Sequence, residues 1–138
     1  MEENAYDIEV HTEVKKLEFM AGGGKFKLPV CIKNRSSRDL IDAEATYLSY
    51  HVYSLDGGKD EWDQKRYSIN ICKGEEKTVA IESTAPEKKG SYIFKLDIVK
   101  EGSEWYSDSG VKFPHIAVKV CDDGSVLMSD LYEQIEAQ

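Results

Sequence analysis

The sequence predicts an all-β chain folded as a two-sheet antiparallel sandwich, and three observations carry that expectation. Apolar and polar residues alternate at period two over several short stretches, the pattern of strands with one buried face. About seven such stretches succeed one another at intervals of roughly 10–20 residues with turn residues between them, the spacing of a sandwich. The most regular is the stretch from Pro86 to Gly110, PEKKGSYIFKLDIVKEGSEWYSDSG, which reads as the central strand and the turn that follows it.

Taken in order, residues 6–14 set Tyr6, Ile8 and Val10 against Asp7, Glu9 and His11, giving a first strand. AGGG at 21–24 reads as a flexible turn. Phe26, Leu28, Val30 and Ile32 then alternate with Lys25, Lys27, Cys31 and Lys33. Pro29 falls on the outward set and, having no N–H for a ladder, marks an edge position or a bulge. NRSSRD at 34–39 is a polar loop, and residues 39–46 suit either one helical turn or an irregular crossing.

Residues 47–55, YLSYHVYSL, form an aromatic strand with Leu48, Tyr50 and Val52 on one face and Tyr47, Ser49, His51 and Tyr53 on the other. Asp56, Gly57 and Gly58 signal a turn. After a polar segment holding Trp62 come a short strand (Tyr67, Ile69, Ile71), a turn (Lys73 to Glu76) and another strand from Thr78 to Glu82. In the central strand Tyr92, Phe94, Leu96 and Ile98 share one face. Gly90-x-Tyr92 after a proline-containing loop predicts a tyrosine corner, the ring packed inside and the hydroxyl bonded to backbone a few residues upstream. HIAVKVC at 115–121 closes the sheet with Ile116, Val118 and Val120 inward. Beyond it Val126, Leu127, Leu131 and Ile135 recur at helical spacing, so the chain divides into a sandwich over 1–122 and a short amphipathic helix or tail over 123–138.

At 138 residues the chain suits one domain with a core that needs no staples. No apolar run approaches the roughly 20 residues that cross a bilayer, and the acidic opening MEENAYDIEV is unlike a secretory leader; the expected location is the cytoplasm, with no membrane insertion. A net charge of −8 argues against nucleic acid as a partner. Cys31, Cys72 and Cys121 are odd in number and form no C-x-x-C, so three free thiols are expected.

Catalytic and metal chemistry find little footing. His11, His51 and His115 share no ligand spacing, so zinc is not expected. The acids at 56–63 and 97–108 lack the order of a calcium loop and read as solvated; nothing singles out a carboxylate pair for glycoside hydrolysis. No nucleophile elbow, P-loop or dinucleotide fingerprint is present. The reading is a non-catalytic chain with no cofactor. Aromatics are the informative class: Tyr47, Tyr50, Tyr53, Trp62, Tyr67, Trp105 and Tyr106 lie on two neighbouring segments and their loops. Some must be core; those left exposed would make a platform on which the C–H face of a sugar stacks beside polar hydrogen-bonding groups.

The segments SYHVYSLDGG (49–58) and FKLDIVKEGSEWYSDSG (94–110) resemble a bacterial family whose motifs run S-Y-H-W-x-D-x-x-G and D-L-V-x-E-G-x-x-W-F-x-x-x-G. Asp97, Val99, Glu101, Gly102, Trp105 and Gly110 stand in place, with Ile98 for Leu, Tyr106 for Phe, Val52 for the Trp of the first motif, and RYSIN at 66–70 where the family reads R-T-x-L-P. This is the immunoglobulin-like domain attached to bacterial polysaccharide-assembly proteins: glycosyltransferases, sugar methyltransferases and, more distantly, the carbohydrate-binding domain of O-antigen ABC exporters. The resemblance implies an immunoglobulin-like sandwich of about seven to eight strands that binds glycan or assists a glycan-assembly enzyme. His51, Tyr53, Trp62, Glu101, Trp105 and Tyr106 would then line the ligand surface. The competing reading is a structural domain that forms a homodimer or docks on a partner domain, the same aromatics being core.

Overall fold

The computed structural model describes residues 5–57, 60 and 64–121; the helix expected over 123–138 lies outside the described residues. The strands are β1 (Ile8–His11), β2 (Lys16–Phe19), β3 (Lys25–Asn34), β4 (Thr46–Ser54), β5 (Tyr67–Ser68), β6 (Glu76–Thr84), β7 (Gly90–Lys100), β8 (Glu104–Trp105) and β9 (His115–Val120). One sheet has the order β1-β3-β6; the other runs β2-β9-β7-β4-β5, with β8 paired to β7. The expected sandwich is the observed fold, and β7 is its central strand, flanked by β4 and β9.

The first segment changes sheets halfway. β1 pairs antiparallel with β3, whereas β2, four residues that the alternation did not disclose, lies parallel to β9. At the switch the Thr12 hydroxyl donates to the Pro29 carbonyl at 2.8 Å. Backbone N and C=O of one strand residue point to the same side, so the Pro29 nitrogen also faces the place β1 has just left. Its missing N–H therefore costs no ladder bond, and position 29 is locally an edge.

Alternation on both sheets drives the packing. Leu28, Val30, Ile32, Leu48, Tyr50, Ile81, Phe94, Leu96, Ile98 and Ile116 are all buried between the layers. Phe26, Tyr50 and Phe94 meet with ring centroids 5.1–6.2 Å apart, in the tilted geometries that aromatic rings prefer. The Tyr50 hydroxyl crosses the layer to Ser83 Oγ at 2.9 Å. The tyrosine corner is present: the Tyr92 hydroxyl donates to the Lys88 carbonyl at 2.7 Å while its ring stays buried.

Two local expectations resolve or change. Residues 39–46 hold a single 3₁₀ turn, Asp42–Glu44, ended by Ala45 at φ 52°, and Leu40 forms a two-bond bridge with Ile71 just before it. The turn at 21–24 is packed rather than loose. A Cβ on Gly22 would lie 1.9 Å from the Glu87 carbonyl oxygen, so backbone approaches backbone there as only glycine allows.

Candidate functional site

The outward face of the larger sheet is where the candidate residues gather. On β4, Ser49, His51 and Tyr53 point away from the core; on β7, Lys95, Asp97 and Val99 do, and Asp97 lies opposite Ser49 in register. An outward face of an antiparallel sheet is commonly wet, yet Asp97 is 0% exposed and His51 4%. The cover comes from the turn after β7.

Asp97 is the hub. Its Oδ1 accepts the backbone N–H of Ile98 at 2.8 Å and of Ser107 at 3.0 Å. Its Oδ2 accepts the Ser107 hydroxyl and His51 Nε2, the latter at 2.8 Å. Against a carboxylate, which only accepts, Nε2 must carry the proton. Four donors satisfy both oxygens, and the arrangement pins the 3₁₀ turn Tyr106–Ser109 onto the sheet. That turn ends at Gly110 with φ 97°, a backbone state that suits glycine and explains the residue there.

Serine, histidine and aspartate here do not form a nucleophile relay. The Ser107 hydroxyl donates to Asp97 rather than to His51, so the imidazole does not stand between hydroxyl and carboxylate as it does in a serine relay. Among the described residues no three His, Cys, Asp or Glu converge on a possible metal position. Cys31, Cys72 and Cys121 are free.

Trp105 stands edge-on to the His51 ring at 4.5 Å, outside the core. Arg66 lies over the indole at 5.0 Å and donates to Glu101 at 3.1 Å. Arg66 also reaches the Gln64 carbonyl at 2.7 Å and Ser49 Oγ at 3.3 Å. Lys95 sits 4.7 Å from the Tyr53 ring centroid. Both contacts are cation–π geometries. Beside them a cleft of about 460 Å³ is walled by Tyr53, Lys95, Asp108, Lys112, Phe113 and His115. Burial, helped by the positive charge of Lys95, pushes the His115 imidazole below its ordinary value. A smaller recess of about 280 Å³ runs past Arg66, Glu101 and Trp105.

Of the six residues the sequence proposes, His51, Tyr53, Glu101 and Trp105 meet on this one face. Tyr106 does not: it is 1% exposed, packs inward edge-to-face on Tyr6 at 5.5 Å, and cannot contribute to an accessible surface. Burial raises the Tyr106 hydroxyl above its usual value despite the neighbouring Arg38. Trp62 lies outside the described residues. Arg66, Lys95 and Ser107 belong to the cluster although the sequence does not mark them as ligand residues: Arg66 opens the RYSIN segment, and Lys95 and Ser107 lie inside the second motif stretch.

No protein-family model matches the chain, and no curated protein matches it significantly. Solved structures do. The chain is similar to the CARDB domain of the PF1109 protein from Pyrococcus furiosus, solved in complex with di-metal ions, at TM-score 0.52 and 16% identity over 85% of this chain and 94% of that one. It is also similar to a family 123 glycoside hydrolase from Clostridium perfringens, at TM-score 0.48 and 10% identity over 83% of this chain and 27% of that one. A PapD-like domain of human CEP192 aligns at TM-score 0.44 and 11% identity over 86% of this chain and 87% of that one. The first likeness shows the fold, an immunoglobulin-like β-sandwich, and nothing finer. The resemblance to polysaccharide-assembly domains gains no support from these three.

Proposed function

We propose that this chain is a non-catalytic immunoglobulin-like interaction module that docks on another polypeptide through the outward face of its larger sheet, at the cleft between Tyr53 and His115. One observation carries the reading: the aromatic rings that a sugar would stack on are engaged by the protein's own cations, Arg66 over Trp105 and Lys95 over Tyr53. Stacking a pyranose on either covered face would require displacing a cation–aromatic contact. A docking partner needs no bare ring. Aromatic residues and arginine are enriched at interfaces, and Tyr53, Phe113, Trp105 and Arg66 supply them along this face.

The glycan-binding reading, with its link to cell-surface polysaccharide assembly, stands on the aromatic loops and the motif resemblance and ranks second. A photo-crosslinking amino acid at position 113, beside the cleft, is compared in the native cell with the same group at Thr78 on the smaller sheet. The expected result is one discrete cross-linked polypeptide from position 113, lost when Lys112→Glu is added, and none from position 78. A panel of oligosaccharides that quenches tryptophan fluorescence and shifts the His51 and Trp105 resonances, with no cross-link at 113, overturns it.

A further inference from the structure

A second depression lies away from this face, at the end of the sandwich where β3 begins and β6 ends. It has a volume of about 520 Å³ and is lined by Lys25, Phe26, Lys27, Lys65, Glu82, Ser83 and Thr84, within the range of small-ligand sites. The register builds it: Lys25, Phe26 and Lys27 pair with Thr84, Ser83 and Glu82, and Lys65 closes it from the segment before β5. Its charge inverts that of the chain. The whole sequence has 26 acids to 18 Lys and Arg, whereas this cleft gathers three lysines around one acid. Lys27 lies 3.6 Å from Glu82; among the described residues Lys25 and Lys65 have no ion pair. The apolar side chain of the lining is Phe26, whose ring belongs to the aromatic cluster with Phe94 at 5.6 Å.

We infer that this cleft is a carboxylate-binding site that takes a short acidic stretch of a partner polypeptide, with an apolar side chain of that stretch resting on Phe26. Unpaired lysines are compact cations that hold carboxylates without demanding one geometry, and the Ser83 and Thr84 hydroxyls line the same space. A long polyanion does not suit the site. With a net charge of −8 the chain repels one beyond the cleft, and attraction between exposed charges fades over about 8 Å at physiological salt. The ligand is therefore a few acidic residues flanking a hydrophobic one. The site shares no residue with the outward-face cleft, so either proposal can fail alone.

The test titrates the full-length, isotope-labelled chain with the blocked pentapeptide DEFED. Expected are amide shifts confined to residues 25–27, 65 and 82–84 at about 20 mM salt, largely lost at about 500 mM, where screening is complete within a few Å. Lys25→Glu with Lys65→Glu, both exposed and away from the core, should weaken binding about tenfold, roughly 1.4 kcal/mol, and leave the fold's spectrum intact. Shifts that ignore the double substitution, or appear only on the outward face, overturn the site. Binding of a galacturonate trimer in place of the peptide overturns the polypeptide ligand. So does a shift of the same amides in the free protein when Asp122, Asp123, Asp130, Glu133 and Glu136 are changed to their amides, because the chain's own acids would then be the occupant.

Discussion

Around Asp97 both faces of β7 are closed to water, by different means. Inward, Phe94, Leu96 and Ile98 are buried by aliphatic and aromatic contact with the opposite sheet. Outward, Asp97 is buried by hydrogen bonds, its cover a turn that the carboxylate itself holds down. Apolar burial is non-directional and tolerates substitution of similar volume, while a buried polar hub is worth having only when every donor around it is satisfied. The inner face therefore sets the fold, and the outer face sets where one turn and its tryptophan sit.

The largest expected effects compare the neighbours Ile98 and Asp97, both 0% exposed. Ile98→Ala should cost about 2–5 kcal/mol through a cavity, and Asp97→Ala about 3–5 kcal/mol by stranding His51 and three further donors. Chemical denaturation measures both, and similar losses do not separate the mechanisms. Adding His51→Leu does: with Asp97→Ala it should be non-additive by about 1–3 kcal/mol, and with Ile98→Ala nearly additive. Additivity in both pairs would mean that the outward hub is not a coupled unit.

A smaller effect tests the junction between the faces. Tyr92→Phe keeps the ring and removes the 2.7 Å bond to the Lys88 carbonyl, so stability should fall by about 1 kcal/mol with the denaturant slope unchanged. A change in slope would show instead that the corner holds the compactness of the folded state.

The same division governs what was legible in the sequence. Apart from β2, the inward faces declare themselves through period-two alternation, because burial there is apolar and repeats along the strand; so does the tyrosine corner, through Gly90, Tyr92 and the turn before them. β2 was invisible because Lys16–Phe19 is only four residues long and its strand state is fixed by parallel pairing with β9, a contact about a hundred residues away in the chain. The outward cluster showed only as motif letters. Its logic lies in side chains from β4, β7 and a 3₁₀ turn meeting at one carboxylate, which no local pattern encodes. Trp105 and Tyr106 read as one surface pair, but Trp105 ends β8 and Tyr106 opens the 3₁₀ turn, and no local pattern says which of the two turns inward.

The smallest expected effect is a slope, and it concerns a second carboxylate beside the same turn. Burial alone would raise the Glu104 carboxyl, but donors outweigh it and hold the group below its ordinary 4.5. Oε1 accepts the hydroxyls of Tyr6 and Ser109, each at 2.7 Å, and Oε2 accepts Arg38 at 3.0 Å. A carboxyl lowered in the folded state adds stability that is present above its unfolded value and lost as pH falls through the folded one. Stability should therefore decline below about pH 4.5, with Glu9 and Glu13, also lowered, sharing that decline. Glu104→Gln removes one contributor and leaves the others, so the acid limb should become shallower while stability at neutral pH drops modestly. An unchanged limb would mean that Tyr6, Arg38 and Ser109 bind the carboxyl and the amide equally well, leaving Asp97 as the one carboxylate on which the turn depends.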